Sequence, residues 1–266
     1  MSSVAIQAAE AGGDKVLEVR NMDNIGQQSK GETREGVDDP LTLGDQYSHE
    51  EIVGTIKKAY GDSIFIFSEE KDSHNLDLGS IKQPSYDLGS RISAIIGSAD
   101  EVVRKEDVTI WVDPLDATKE FTERLLNYVT TMVCVAVKGK PVIGVIHKPF
   151  KQSGDPLRTV FGWNGVGANI QDKTIGREAE IENTIIVSRS HKGDVEEAVK
   201  AQLGESSFVI GAGGAGYKAE ELFGYPSDND AKRTPAAYVH TTLIKKWDMQ
   251  KCDKTQFSVN YKILFF

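Results

Sequence analysis

A short acidic motif after a hydrophobic run constrains this chain more than any other feature. The run VTIWV at 108–112 is typical of a β-strand, and Asp113, Pro114 and Asp116 follow it closely. Proline fixes its own φ angle and stiffens the turn, so both carboxylates can face one point at the strand end. Two acids held this close repel each other unless a cation shares them, and Mg²⁺ prefers such oxygen ligands. The motif therefore predicts a metal site, and the alternative is an acidic turn that binds nothing.

The residues around the second aspartate predict an anion site beside the metal. Ala117 and Thr118 begin a predicted helix, whose first N–H groups have no partner inside the helix and can bind a phosphate. The carbonyl of Leu115 lies between the two carboxylates in the sequence and can face the same point. One turn could therefore hold both a metal ion and a phosphate group.

Other acidic residues are weaker candidates when each is taken alone. Glu69 and Glu70 follow a short strand-like run, and Asp248 lies in the segment KKWD. Asp45, in the segment TLGD, is better explained as a helix cap when it is taken alone. Its functional interpretation is a base that acts through the Thr118 hydroxyl on a water molecule beside the metal.

Two segments in the last third of the chain are candidate contacts for a phosphorylated ligand. The glycine-rich turn GAGGAGYK at 211–218 lets a ligand approach the backbone closely, and Lys218 adds a cation. It matches neither a dinucleotide-binding fingerprint nor a P-loop. The segment SRSH at 188–191 follows a strand, and Ser188 and His191 could bind a phosphate or a base edge. An ordinary turn and a surface histidine are the alternatives.

The order of predicted elements indicates a layered α/β protein in two parts. Residues 1–177 combine helices with a largely antiparallel sheet and carry the candidate metal ligands, and a hairpin is predicted at 138–140. Residues 178–248 alternate strands and helices, which is typical of a smaller α/β layer, and they contain both candidate contacts for a phosphorylated ligand. Residues 249–266 form an atypical tail. The polar residues 21–40 predict a loop.

Composition excludes several classes of partner. The formal net charge of −9 argues against nucleic-acid polymers and anionic membranes, whereas a bound metal can reverse the field locally for a small anion. The sequence has no apolar stretch of membrane-spanning length and no signal-peptide pattern. Two cysteines do not make a disulfide framework. These features predict a soluble chain.

Taken in order, the motifs resemble the inositol monophosphatase superfamily of magnesium-dependent, lithium-sensitive phosphatases, which have a layered sugar-phosphatase fold. The residues that carry the resemblance are SEE, WVDPLDAT, SRSH, GGAGYK and KKWD. SRSH and GGAGYK are similar to the bisphosphate nucleotidase branch. The segments at 29–45 and 128–150 look most like Golgi-resident members of that branch. The similarity covers residues 4–248, so the C-terminal α/β part is expected to be incomplete.

The resemblance implies a site with two or three Mg²⁺ ions. One ion would be bound by Glu69, Asp113 and the carbonyl of Leu115, and a second by Asp113, Asp116 and Asp248. Asp113 would bridge the pair, which suits ions roughly 3.5–4 Å apart. These assignments come from the resemblance alone.

The resemblance also implies a substrate, 3′-phosphoadenosine 5′-phosphate, that is hydrolysed to AMP and phosphate. Asp45 and Thr118 would orient and deprotonate a water, and the N–H groups of Ala117 and Thr118 would hold the phosphate. Attack in line needs no covalent intermediate. The rest of the nucleotide would contact Ser188, His191, Gly214 and Lys218.

The chain departs from the resemblance at both ends. Golgi members begin with a signal-anchor helix, so a Golgi-lumen location is expected from the resemblance and a soluble, cytoplasmic one from the printed sequence. After Asp248 the expected small-residue helix is replaced by residues 249–266, which predicts an open sheet edge and weak or absent activity. Three alternatives remain: an inositol phosphate phosphatase, an inactive metal or nucleotide binder, and a purely structural module. A homodimer is compatible with the sequence.

Overall fold

Two long helices, α1 at Ser2–Arg20 and α2 at Leu43–Tyr60, begin the fold in this computed structural model. They pack against each other and bury apolar residues at helical spacing along their shared face. The structure describes all residues except 33–35, 37, 72–75, 87, 98–101, 152–157, 171–182, 190–194, 224–232, 241–263 and 266.

A pair of glycines lies within α1 without interrupting the helix. A Cβ atom at Gly12 would lie 2.5 Å from the Ile52 side chain of α2, and one at Gly13 would lie 2.4 Å from the His147 ring. Both distances are shorter than a Cβ contact tolerates. The glycines therefore let α2 and the sheet approach α1 closely, which offsets their low helix propensity.

The segment between the two helices forms a two-stranded antiparallel ribbon, β1 at Gln28–Glu32 and β2 at Asp38–Leu41. The prediction of a loop over residues 21–40 was therefore wrong for these strands. All five residues of β1 are exposed. Without a buried face, the sequence has no alternation of apolar and polar residues that would indicate a strand.

A six-stranded sheet forms the centre of the fold. Its first two strands are parallel and the remaining neighbours are antiparallel, so the predicted, largely antiparallel sheet is confirmed. The predicted hairpin turns at Lys138 and Gly139, whose φ values of 51° and 75° suit a tight two-residue turn. In spatial order the strands are β3 (Phe65–Ser68), β4 (Val108–Asp116), β5 (Thr130–Val137), β6 (Lys140–His147), β7 (Thr159–Trp163) and β8 (Gly167–Ala168).

One face of this sheet is covered by α1, α2 and a short helix, α3 at Leu88–Ile96. Alternate residues of the central strands point into this core, which includes Ile110, Val112, Val133, Val135 and Val145. Burial of this apolar surface is the main stabilising contribution to the N-terminal layers. Single 3₁₀ turns occur at Gly61–Ser63, Lys105–Asp107 and Leu126–Tyr128, and a one-turn helix, α4, lies at Thr118–Thr122.

A second sheet of four parallel strands follows, with two described helices, α5 at Val195–Leu203 and α6 at Ala215–Glu221. Part of the atypical tail pairs with the strand at Ala237–His240 through Val239 and Leu264, so it lies along the edge that was predicted to be open. The predicted division at residue 177 lies outside the described residues and stays a prediction. In spatial order the strands are β10 (Phe208–Ala212), β9 (Thr184–Ser188), β11 (Ala237–His240) and β12 (Leu264–Phe265).

Helix α6 joins the two layers. A Cβ atom at Gly216 would lie 2.4 Å from Thr130 Oγ1 of β5, so the helix lies directly on the face of the first sheet that α1 and α2 leave uncovered. Lys148, just after β6, forms a buried ion pair with Glu220 of α6. Its ammonium group also lies 5.4 Å from the centre of the Tyr217 ring.

No helix within the described part of the chain is long and apolar enough to cross a membrane.

Candidate active site

The aspartates of the acidic motif lie on β4, where its pairing with β5 changes register. Asp113 pairs with Met132 and Asp116 with Thr130, so β4 has one more residue than β5 over this interval. Such a bulge bends a strand and redirects its side chains. β4 thus continues through the motif, whereas the sequence predicted that the strand ends before Asp113. Asp113 is buried, with 2% of its surface exposed, and Asp116 is half-buried.

The predicted helix start after the motif is present. Ala117 is the N-cap residue of α4 and adopts a left-handed conformation, with φ 70° and ψ 44°. Residues other than glycine rarely adopt this conformation, because Cβ then approaches the following carbonyl oxygen. The sharp turn brings the first residues of α4 next to the two aspartates, so backbone strain is stored beside the candidate site.

We expect Ala117→Gly to raise the free energy of unfolding by roughly 1 kcal/mol, because glycine adopts this left-handed conformation without the Cβ penalty. Urea denaturation measures the change. Ala136→Gly is the control, since Ala136 is buried within β5 and loss of its methyl group should lower stability. A lower stability of Ala117→Gly would show that the left-handed turn is not strained.

Asp116 connects the acidic motif to the glycine-rich turn. Its Oδ2 atom accepts hydrogen bonds from Gly216 N at 2.8 Å and Thr130 Oγ1 at 3.1 Å. Gly214 has φ 60°, and a Cβ atom there would lie 2.6 Å from the Tyr128 carbonyl oxygen and 3.0 Å from Asp116 Oδ2. Glycine is therefore required at 214, and two motifs about 100 residues apart meet at one carboxylate.

Asp45 lies in the first turn of α2 and is both a helix cap and a neighbour of the motif. Its Oδ2 atom accepts hydrogen bonds from Thr42 N and Thr42 Oγ1, each at 2.7 Å, which completes a capping box. Its Oδ1 atom accepts a hydrogen bond from Thr118 Oγ1 at 2.8 Å. The Thr118 hydroxyl also lies 3.1 Å from the Leu115 carbonyl oxygen. The helix cap is thus present, and the Thr118 contact is the one that the functional interpretation requires, whereas the role of a base stays a prediction.

Burial changes the acidity of Asp45. Removal from water raises the pKa of this carboxyl to about 7, although the hydrogen bonds from Thr42 and Thr118 and the charge of Lys30 act in the opposite direction. A carboxyl group with a pKa near neutrality is well matched to proton transfer at physiological pH. A divalent cation at the neighbouring acids would favour the ionised form.

The Glu69–Glu70 pair follows β3 and is held next to β4, because Glu69 N donates a hydrogen bond to the Val112 carbonyl at 3.1 Å. A lysine of the ribbon, Lys30, reaches this pair: its Nζ atom forms an ion pair with Glu70 and lies 3.7 Å from Glu69 Oε1. Burial alone would lower the pKa of Lys30, but Glu69, Glu70 and Asp45 outweigh burial and the pKa is raised. An ammonium cation therefore lies among three acidic residues, Glu69, Glu70 and Asp45.

The chemistry of these donors fits a hard divalent cation. Carboxylates and a backbone carbonyl are the ligands that Mg²⁺ prefers, and the ammonium group of Lys30 already neutralises part of the cluster. Within the described residues, no three acidic, histidine or cysteine side chains converge into a complete metal centre. The predicted ligand Asp248 lies outside the described residues.

The predicted nucleotide contacts are placed in part. Ser188 ends β9 and pairs with Ala212 of β10, so it lies beside the start of the glycine turn. Lys218 is buried, and its ammonium group donates hydrogen bonds to the carbonyls of Gly214 and Ala212 and lies 5.1 Å from the centre of the Tyr238 ring. In this structure Lys218 braces the turn. His191 lies outside the described residues.

Sequence reasoning missed an ion-pair cluster that joins α4 to the end of β9. Arg189 Nη1 lies 2.8 Å from Glu123 Oε2 and 3.5 Å from Glu120 Oε1. Glu120 is buried, and a Cβ atom at Gly213 would lie 2.6 Å from its side chain. The spacing of Glu120 and Glu123 on one helix face was the available signal, but only the fold reveals the arginine that pairs with them.

Comparison with known proteins identifies relatives over most of the sequence. A sequence model of the inositol monophosphatase family matches residues 1–218. Inositol monophosphatase 3 of Xenopus laevis is 41% identical over 247 residues, which cover 93% of this chain and 67% of that protein. The Golgi-resident adenosine 3′,5′-bisphosphate 3′-phosphatase of Mus musculus is 41% identical over 251 residues, which cover 94% of this chain and 66% of that protein. The chain thus spans about two thirds of the length of these relatives.

Solved structures show the same fold. CysQ from Bacteroides thetaiotaomicron, a bacterial member of the inositol monophosphatase family, superposes with a TM-score of 0.57 at 23% identity, covering 94% of this chain and 83% of that chain. The extragenic suppressor protein suhB from Bartonella henselae gives the same TM-score at 16% identity, covering 95% of this chain and 82% of that one. These likenesses confirm the predicted layered α/β architecture. The sequence matches, over residues 1–218 to the family model and at 41% identity to the curated relatives, show that the chain belongs to the inositol monophosphatase family.

Proposed function

We propose that this protein is a Mg²⁺-dependent phosphomonoesterase that removes the 3′-phosphate of 3′-phosphoadenosine 5′-phosphate, giving AMP and phosphate. The observation that carries the proposal is that two separate segments converge on the acidic motif. Asp45 reaches Thr118 at 2.8 Å, and Gly216 N of the glycine turn reaches Asp116 at 2.8 Å. The proposed base, the proposed acidic ligands and the glycine-rich turn thus meet at one location.

Glu69, Asp113 and the carbonyl of Leu115 would hold one Mg²⁺, and Asp113, Asp116 and Asp248 would hold another. The described ligands come from adjacent strand ends, because β3 and β4 are parallel neighbours and Glu69 N is bonded to the Val112 carbonyl. When bound, the ions would supply the charge that acidifies a water and stabilises the leaving oxygen. A third ion is part of the same proposal.

Asp45 would accept the proton of the attacking water through Thr118. The Thr118 hydroxyl can donate to Asp45 Oδ1 while it accepts from a water, so the pair can pass a proton without moving either side chain. The first N–H groups of α4, at Ala117 and Thr118, would orient the phosphate. Since the water attacks phosphorus directly, no residue of the chain becomes covalently modified.

The adenosine part of the substrate would lie against the second sheet. Ser188 and Gly214 are the described residues that would contact it, and His191 would be a further contact. Lys218 would hold the glycine-rich turn in its conformation. The family resemblance of SRSH and GGAGYK supports a nucleotide there. We also propose a Golgi-lumen location, because relatives at 39–41% identity are named as Golgi-resident. A homodimer stays a prediction.

An inositol phosphate phosphatase is the second candidate, because relatives at 41–42% identity carry the name inositol monophosphatase 3. Phosphate release from 3′-phosphoadenosine 5′-phosphate and from inositol 1-phosphate separates the two candidates when both are measured with Mg²⁺. Preference for the nucleotide supports the proposal, and preference for the inositol phosphate overturns it. AMP binding without phosphate release would instead show that the chain is an inactive binder. That is the outcome expected if the altered C-terminal tail abolishes activity.

We expect Thr118→Val to lower kcat by about 10²–10⁴-fold, the usual contribution of general acid–base catalysis, because valine keeps the shape and loses the hydroxyl. Thr118→Ser keeps the hydroxyl and should retain most activity. The matched control is Thr122→Val on the same helix, since the Thr122 hydroxyl bonds only the Lys119 carbonyl among the contacts described. Equal losses in Thr118→Val and Thr122→Val would contradict the proton path.

A further inference from the structure

Helix α2 contacts both turns that carry the proposed metal ligands. Ser48 Oγ donates a hydrogen bond to the Pro114 carbonyl at 2.6 Å, inside the acidic motif. The next residue, His49, places its Nδ1 atom 2.8 Å from Ser68 Oγ, at the end of β3. Asp45 lies one helical turn before these residues. One end of α2 therefore contacts Thr118, Pro114 and Ser68 through three separate side chains.

The contact at Ser68 matters because β3 is short and lies at the edge of its sheet. β3 has four residues and pairs only with β4 among the described strands. Glu69 follows it directly and is tied to β4 by one backbone hydrogen bond, from Glu69 N to the Val112 carbonyl. An edge strand held on one side is less constrained than a central one, so the Ser68–His49 contact adds a restraint from α2 to those that β4 and the Lys30 ion pair with Glu70 already supply.

His49 is buried, with 3% of its surface exposed, and this burial makes its contact selective. A buried imidazole needs hydrogen-bond partners because its ring nitrogens are removed from water. A serine at the end of β3 supplies one of them. Because a hydrogen bond weakens when it is misaligned, the pair restrains the end of β3 relative to α2 in direction as well as in distance.

We propose that His49 is a positioning residue for metal binding. Through Ser68 it holds the Glu69 carboxylate opposite the Asp113–Asp116 segment. Ser48, on the same helix, holds that segment. This inference rests on the proposed function, since it takes Glu69 as a metal ligand. Mg²⁺ demands near-ideal ligand geometry. Groups that orient a metal ligand typically change metal affinity by about 10–100-fold when they are removed.

The experiment measures the dissociation constant of Mn²⁺, as a paramagnetic substitute for Mg²⁺, on the whole chain by electron paramagnetic resonance. His49→Leu removes the hydrogen bond and fills the buried position with an apolar side chain. Ser68→Ala removes the other partner, and His49→Asn keeps a polar group near the position of Nδ1. The control is Ile56→Val, a buried position further along α2 that contacts neither turn in the described hydrogen bonds.

The expected result is a loss of Mn²⁺ affinity of about tenfold or more in His49→Leu and in Ser68→Ala. The double variant should be no weaker than either single variant, because both remove the same hydrogen bond. His49→Asn should restore most of the affinity, and Ile56→Val should bind Mn²⁺ as the unchanged protein does.

Two outcomes overturn the inference alone: unchanged affinity in His49→Leu, or an equal loss in the Ile56→Val control, which would assign the effect to general destabilisation. Both leave the proposed function standing, because the unchanged protein still binds the ion. Failure of the unchanged, folded protein to bind Mn²⁺ overturns the inference and the metal-dependent function together.

Discussion

Replacing Asp113 by asparagine is expected to lower phosphate release by roughly a thousandfold, since a bound metal supplies several kcal/mol of charge stabilisation and each 1.36 kcal/mol is a factor of ten in rate. Asp113 is buried on the bulged part of β4, beside Asp116, and would bridge the two ions. An amide has nearly the same shape but carries no charge. The variant should therefore keep the fold and lose the metals.

The same substitution should leave stability without metal equal or higher, because it removes one buried negative charge from an acidic cluster. Thermal unfolding in a chelator measures this effect, and Mn²⁺ titration measures the loss of binding. The matched control is Asp107→Asn, an acid of the same sheet region that pairs with Arg104 at the surface. Full activity in Asp113→Asn would remove this residue from the mechanism.

Replacing Lys148 by methionine is expected to lower the free energy of unfolding by about 3–5 kcal/mol, the usual effect of removing one partner from a buried ion pair. The side chains of Lys148 and Glu220 are only 9% and 6% exposed. Methionine fills similar space and leaves the Glu220 carboxylate unbalanced. The Oε1 atom of Glu220 is already buried without a hydrogen-bond partner among the described residues.

The effect of Lys148→Met should depend on pH. Burial raises the pKa of Glu220 from 4.5 to about 7, and the charge of Glu221 acts in the same direction. The charge and hydrogen bond of Lys148 and the charge of Lys151 oppose this rise. The folded state therefore binds more protons than the unfolded state between these values. This contribution to stability is complete below pH 4.5 and is lost as pH rises through about 7. The penalty of Lys148→Met should thus be larger at pH 8 than at pH 5.

Urea denaturation of Lys148→Met at both pH values tests this account. Glu220→Gln is the companion variant, because it removes the titrating group while Lys148 remains. In Glu220→Gln the loss of stability between pH 5 and pH 8 should be smaller than in the unchanged protein. A penalty of Lys148→Met that is small and independent of pH would mean that Glu220 reaches solvent.

The acidic motif was predictable from sequence because its residues lie close together along the chain. Asp113, Leu115 and Asp116 occupy one short segment, and the strand before them and the helix after them are both present. Asp45 was found for the same reason, since its capping position in TLGD is a local pattern. The overall layers followed from the alternation of strands and helices.

Contacts made across the fold were not predictable. Lys30 lies on β1, a strand with no apolar pattern, so nothing in the sequence indicates that it reaches Glu69 and Glu70. Arg189 pairs with Glu123, 66 positions away. Lys218 looked like a ligand-binding cation, yet its ammonium group is turned toward the carbonyls of its own turn. Such partners depend on tertiary packing, which spacing along the chain does not encode.

The bulge in β4 shows the same limit on a smaller scale. The pair Asp113 and Pro114 looks like a strand end, because proline cannot donate a ladder hydrogen bond. The structure keeps Asp116 paired with Thr130 by adding one residue to β4. The sequence indicates the interruption, whereas the pairing partner on β5 decides whether the strand ends or bulges.

Phosphate release from 3′-phosphoadenosine 5′-phosphate by the purified chain is the most direct test of the central claim. The account predicts release that requires Mg²⁺, is inhibited by lithium and is lost in Asp113→Asn. Comparison of the rate of phosphate release with that of a full-length relative also tests the prediction of weak activity. The contradicting result is no release, with or without Mg²⁺, from a folded and monodisperse sample that still binds AMP.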